Sequence, residues 1–201
     1  MELCVCERFP SDRELVFQAR VLCREFMFSR VTREGLSWCR VGADPPDPPA
    51  ELTPAALVLL KLGDELEKLQ PRLYRNIAKQ LNVSVAVGAL VSDAFLSVAT
   101  EMLSLGITWG KVVAIFSVAG GLAVDCVRQE HPAVVYTIED SLGEFVRKSL
   151  VPWLRMRGGW GDITKCVRNL ETHSKPPWLS SAIQTWKHLL KMIYIYLMKS
   201  L

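Results

Sequence analysis

Apolar residues recur at helical spacing along most of the chain, and proline and glycine mark the breaks between the repeats. Leu15, Ala19, Leu22 and Phe26 form the first stripe. Ser11 and Glu14 precede it at the spacing of a capping box, in which each side chain satisfies an orphan amide of the first turn. The pattern predicts an amphipathic helix over about 11–30, with Arg13, Arg20 and Arg24 off the stripe. From 42 to 50 the chain reads GADPPDPPA. So many prolines cannot propagate a helix, and an extended, solvated linker is expected.

Thr53-Pro54 opens a second helix, a capping residue followed by proline at the first helical position. This helix should stop before Pro71, and a short third one is expected over 72–81. Ser92 is the expected cap of a fourth, with Gly106 at its C-terminal end. Val112 to Val124 carries no charge. A helix apolar on every side is either a core helix or a membrane span. At roughly 20 Å this stretch falls short of the about 30 Å that a bilayer requires, so a buried position is expected. His131-Pro132 breaks the chain before a partner helix over 133–151. Beyond Pro152, the turn from Arg157 to Trp160 leads into a further helix near 162–168. No strand-like alternation of useful length occurs. The fold class is all-α, a central hydrophobic hairpin wrapped by amphipathic helices. Its parts are an N-terminal helical region (1–41), the linker (42–50), the rest of the core (51–175) and a C-terminal tail (176–201).

The tail has two readings. Trp178 to Met198 is long enough to cross a bilayer, but Lys187, His188 and Lys191 interrupt it. A lysine at the bilayer centre costs about 2.5–3.5 kcal/mol on insertion scales. Trp178 and Trp186 lie on an apolar side, and Ile193, Tyr194, Ile195 and Leu197 belong to a uniformly apolar end. A weak anchor or membrane-docking helix is expected, with an ordinary docked final helix as the alternative.

Composition narrows the function. The 201 residues fit one domain with a tail, half of them are hydrophobic, and the net charge is only +3. Without a long basic run, nucleic acid is not an expected partner. Cys4, Cys6, Cys23, Cys39, Cys126 and Cys166 form no C-x-x-C pair, and Glu2 and Glu7 stand where a secretory signal would be basic and then apolar. Free thiols in a reducing, cytosol-facing setting are expected. His131, His173 and His188 match no metal-ligand spacing, and the Gly-Gly pairs lack the lysine and strand context of a phosphate loop. No metal, cofactor or catalytic residue is expected, and the chain does not read as an enzyme.

The second helix carries the most specific signal. Ala55, Leu59, Leu62 and Leu66 are spaced four, three and four apart, giving one apolar stripe. Gly63 interrupts the helix at about 1 kcal/mol relative to alanine, which close approach of another backbone would explain. Asp64 flanks the stripe, placed to meet a cation on a receiving surface. That is the pattern of a helix laid into a groove. The plainer reading is that these leucines pack this protein's own core, and both hold if the helix is packed at rest and released later. Gly120-Gly121, further on, reads as a close-packing position rather than a weak point.

Four segments resemble the homology motifs of the Bcl-2 family of apoptosis regulators. LLKLGDEL (59–66) is similar to the third motif, and Phe95 with VATEMLSLGITWGKVVAIF (98–116) to the first. WLRMRGGW (153–160) is similar to the second, and SDRELVFQARVLCREF (11–26) occupies the place of the fourth. They occur in the family's order and spacing. The resemblance implies a helical bundle with a surface groove that receives a death-motif helix. On that reading Trp109, Gly110 and Lys111 line the groove, while Ala55, Leu59, Leu62, Gly63, Asp64 and Leu66 form the helix it takes.

The likeness is strongest to a pro-death branch that permeabilises the mitochondrial outer membrane by oligomerising. It implies residence on endoplasmic reticulum and Golgi membranes and partly in the cytosol. Val112, Val113, Ile115 and Phe116 would belong to the membrane-active hairpin. The implied partners are other family members, further copies of the chain and intracellular membranes. A groove-binding guardian is the alternative, as is a regulator docking its first helix on a calcium-release channel. Lys111 departs from the family's usual arginine and Thr108 from its usual asparagine. A compact ammonium cannot reproduce a two-handed guanidinium pair, so capture of an incoming aspartate should be weakened.

Overall fold

The computed structural model describes residues 10–38 and 49–168. Most of the linker expectation and the whole tail, with Trp178, Trp186, Ile193, Tyr194, Ile195 and Leu197, lie outside the described residues. Those that are described form helices and turns, with no strand among them. The elements are α1 (Asp12–Arg33), α2 (Thr53–Leu69), α3 (Ile77–Gln80), α4 (Gly88–Leu103), α5 (Trp109–Arg128), α6 (Val134–Phe145), α7 (Val151–Arg157) and α8 (Lys165–Arg168). A π-turn (Val146–Leu150) joins α6 to α7, and a 3-10 turn (Trp160–Thr164) precedes α8.

The helix starts and stops follow local chemistry. Ser11 caps α1 as expected: its hydroxyl accepts the Glu14 amide at 3.2 Å, and Glu14 accepts the Ser11 amide at 3.4 Å. At α2 the start shifts by one residue. Leu52 is the cap and Thr53 is already helical, without a side-chain cap bond. The third helix shrinks to one turn because Asn76 takes a left-handed φ of 52°. Ser92 is no cap. It lies inside α4, where its hydroxyl meets that of Ser141 on α6 at 2.7 Å. Gly106 sits in a left-handed turn beyond the end of α4, with φ 94°.

α5 is the centre. Every residue from Trp109 to Cys126 is buried, including all of the uncharged stretch. The helix is longer than that stretch, however. Its 20 residues span roughly 30 Å, so the expectation that it falls short of a bilayer does not hold. Its most apolar 18-residue window has a mean hydropathy of 1.7 and is 89% buried. α1, α2, α4 and α6 pack against it. Pro152 does not end the partner helix either. Proline lacks an amide and crowds the carbonyl four residues back. The wider π-turn immediately before it re-registers the backbone, and the helical path continues to Arg157.

Candidate functional site

The site is built around α2 and the two helices that cover it. Its apolar stripe, Ala55, Leu59, Leu62 and Leu66, is 0–2% exposed, and Gly63 is buried with it. The partner of this stripe at rest is the protein's own core: α1, α5 and the 3-10 turn. Each buried leucine contributes roughly 1.5–3 kcal/mol, so α2 is held first by burial.

Charge holds it second. Asp64 does meet a cation, but not the expected one. Arg30 and Arg33 of α1 both pair with Asp64, the second at 2.8 Å, and both also pair with Glu67. The Arg30 side chain is 3% exposed while Asp64 remains 42% exposed, so the clamp runs from the core to the surface. The Arg30 guanidinium lies 4.4 Å over the Phe26 ring, and its Nη2 finds no hydrogen-bond acceptor among the described residues. A cation–π contact supplies part of what is missing.

Gly63 explains how an arginine fits so deep. A Cβ there would lie 2.5 Å from Arg30 Nη2 and 2.6 Å from Phe26 Cζ. On the opposite side, a Cβ at Gly120 of α5 would lie 2.9 Å from Arg30 Cγ and 3.1 Å from the Phe26 ring. Phe26 and Arg30 are thus sandwiched between two glycines. The close approach at Gly63 is made by side chains, not by another backbone as expected. Gly121 instead admits Ile77 and the Tyr74 carbonyl, which supports the packing role expected of this glycine pair.

The expected receiving residues are closed. Trp109 is 6% and Lys111 4% exposed, and Gly110 is buried. Trp109 donates its indole N–H to Asp162 at 2.8 Å and meets Trp153 edge-on, ring centroids 4.9 Å apart. It also lies 6.0 Å from Trp160, which continues an aromatic ladder through Phe116 to Phe26. Trp160 donates to the Leu15 carbonyl at 3.0 Å, so the ladder ties the second and first motifs to α1. Burial pushes the Asp162 carboxyl up, but hydrogen bonds from Lys165 and Trp109 outweigh it and hold the group below its ordinary range.

Lys111 points its ammonium at the Gly106 carbonyl, 2.9 Å away, and forms no ion pair among the described residues. Burial lowers its pKa. Thr108 caps α5 by accepting the Lys111 amide at 3.3 Å. Asp64 pairs with Arg30 and Arg33 and Lys111 with the Gly106 carbonyl, so these two expected partners are not paired with each other. Val112, Val113, Ile115 and Phe116 are at most 2% exposed.

Arg30, Arg33 and Glu67 were not among the expected site residues. Their signal is in the sequence nonetheless: two like-charged pairs, each three apart, on two amphipathic helices. A second clamp holds α1 to α6, where Arg24 pairs two-handed with the buried Glu139 at 2.9 and 2.5 Å. Cys23 and Cys126 are free and fully covered, and burial raises both thiols, Cys126 to about 12.

Comparison with known proteins places these features. A family model described as apoptosis regulator proteins, Bcl-2 family, matches residues 59–160. The chain is 62% identical over 195 residues to the Bcl-2-related ovarian killer protein homolog B of Danio rerio, covering 97% of this chain and 92% of that protein. It is 48% identical to the human Bcl-2-related ovarian killer protein over 96% of its own length. The crystal structure of chicken BOK superposes with a TM-score of 0.71 at 55% identity, covering 78% of this chain and 98% of that one. A Trichoplax adhaerens Bcl-2-like protein solved with a Bak BH3 segment shares the fold, with a TM-score of 0.66 at 21% identity, over 75% of this chain and 97% of that one.

Proposed function

The chain belongs to the Bcl-2 family of apoptosis regulators, and from that premise we propose that it is a pro-death effector that permeabilises the mitochondrial outer membrane. The observation that carries this reading is α5, a helix of bilayer length that is 89% covered across its most apolar window. In water such a surface has to be shielded; once uncovered, its lowest free energy lies in lipid. Release of α2 bares the Leu59–Leu66 stripe and part of α5 together, because α2 packs on α5.

The released α2 is the ligand of this mechanism. Its stripe and Asp64 enter the groove of a second copy or of another family member, as helix-in-groove recognition requires. The Trichoplax relative, solved with such a segment, supports the groove reading. The receiving residues are Trp109, Gly110 and Lys111, which must open from their resting burial. Oligomerisation then concentrates the α5–α6 hairpins at one place on the membrane. Residence at the endoplasmic reticulum, the Golgi and the mitochondrial outer membrane belongs to the same proposal.

Dye release from liposomes of mitochondrial lipid composition by the purified full chain tests the reading. Leakage caused by the chain alone is expected; a chain that only blocks leakage by a known effector is a guardian, and the proposal fails. The groove has its own test. Lys111→Arg should tighten binding of death-motif peptides by restoring a two-handed pair, and an unchanged affinity removes Lys111 from the receiving site.

A further inference from the structure

The charge distribution after α2 is unusual in what it lacks. From Lys68 to Ser92 the chain contains Lys68, Arg72, Arg75 and Lys79 and no aspartate or glutamate. That stretch alone exceeds the net charge of +3 carried by the whole chain. The four cations are never adjacent, so they form no basic run. All four are exposed, and so are three large apolar side chains of the same stretch: Leu69 at 43%, Val87 at 46% and Leu90 at 48%.

The structure brings further cations to this stretch. Lys68 and Arg75 line a cleft of about 600 Å³ together with Arg33 at the end of α1 and Arg128 at the end of α5. Carboxylates line it too, but they are engaged. Asp64 and Glu67 are held by Arg30 and Arg33, Glu34 by Arg128 at 2.9 Å, and Asp125 by the Ala78 amide at 2.9 Å. Lys68 pairs with Glu65 at 2.9 Å, whereas Arg72, Arg75 and Lys79 have no carboxylate within ion-pair distance among the described residues. The buried Arg30, with Nη2 unsatisfied, forms part of the cleft wall.

We propose that the exposed cations and apolar side chains of residues 68–92 together form a docking surface for an anionic phospholipid bilayer, with headgroup phosphates seated at the cleft mouth beside Arg75. Unpaired cations interspersed with exposed apolar side chains are what such an interface takes: the cations meet the negative leaflet and the leucines and valine enter the headgroup boundary. Nucleic acid would not use the apolar members, and a shallow interfacial face needs no transmembrane segment. Arg128 closes α5, so docking presents the C-terminal end of the bilayer-length helix to the membrane, a consequence that matters only if the effector reading holds.

The test is flotation of the full chain with vesicles of phosphatidylcholine alone, or of roughly four parts phosphatidylcholine to one of phosphatidylserine. Wild type should gain partitioning on the anionic vesicles, and added salt should remove the gain. Each cation near an anionic surface contributes a factor of about five, so Arg72→Gln with Arg75→Gln and Lys79→Gln should lose on the order of 100-fold of that gain. Arg75→Gln alone should lose about fivefold, which serves if the triple variant folds poorly. Arg13→Gln with Arg147→Gln and Lys148→Gln removes the same charge elsewhere and should keep the gain. Wild-type partitioning by the 72/75/79 variant overturns the proposal, and so does an equal loss by the control. Free phosphate that abolishes binding at matched ionic strength assigns the cleft to a soluble anion and also overturns it. Dye release is scored separately: docking without leakage sinks the effector reading and leaves this one standing.

Discussion

α2 and α5 are both apolar helices, yet they are held in opposite ways. α5 is enclosed: neighbours cover it from Trp109 to Cys126, its middle is held by aromatic and aliphatic contacts, and its polar ties, Trp109 to Asp162, Asp125 to the Ala78 amide and Arg128 to Glu34, lie at its ends. α2 is held on one side only, by a leucine stripe, and is fastened to α1 by two arginines and two carboxylates that reach the surface. Dispersion and burial cannot be exchanged for anything else in water, whereas an ion pair can be exchanged for another ion pair. On the proposed mechanism, this contrast makes α2 the first element to leave. Its clamp engages the same Asp64 that, on the proposed mechanism, a partner's cation takes.

The largest expected effect lies on the enclosed side. Phe116→Ala, removing a ring that is 1% exposed and meets Phe26 and Trp160, should lower stability to denaturant by about 3–5 kcal/mol. A loss under about 1 kcal/mol would show that α5 is loosely covered and would erase the contrast. Next comes the clamp. Asp64→Asn with Glu67→Gln leaves the buried Arg30 without a counter-charge and should cost about 3 kcal/mol, by the same measurement. Arg33→Gln, at the exposed end, should cost only about 0.5 kcal/mol. Equal losses would mean that burial does not grade the clamp from core to rim.

The smallest effect is a titration outside both regions. Glu144, paired with Arg147 and Lys148, is held down to about 2. A carboxyl depressed in the fold adds stability above its ordinary value of 4.5 and loses it as pH falls toward 2. Following its carboxyl carbon by NMR should give a midpoint near 2; an ordinary midpoint shows that the pair does not hold in solution.

Much of the fold was legible in the residues. The Ser11–Glu14 box, the break at His131-Pro132 and the uncharged centre of α5 all carry local or periodic signals, and the four motifs carry the family. What was missed depends on contacts distant in sequence. Arg30 reads as a surface residue on α1 because an arginine is almost never buried, and only the two facing glycines make room for it. Pro152 reads as a stop because no pattern announces the π-turn that accommodates it. The resemblance implies a cation for Asp64 in the receiving groove, and the resting fold supplies one from α1 instead.

Hydrogen exchange on the intact chain in low denaturant tests the central claim most directly, that α2 is released in a partial opening while α5 keeps its helical hydrogen bonds. The α2 amides should exchange through a partial opening with little denaturant dependence, at least about tenfold faster than those of α5, which is about 1.4 kcal/mol of opening free energy. Exchange of α2 and α5 through one shared opening of the same free energy would contradict the account.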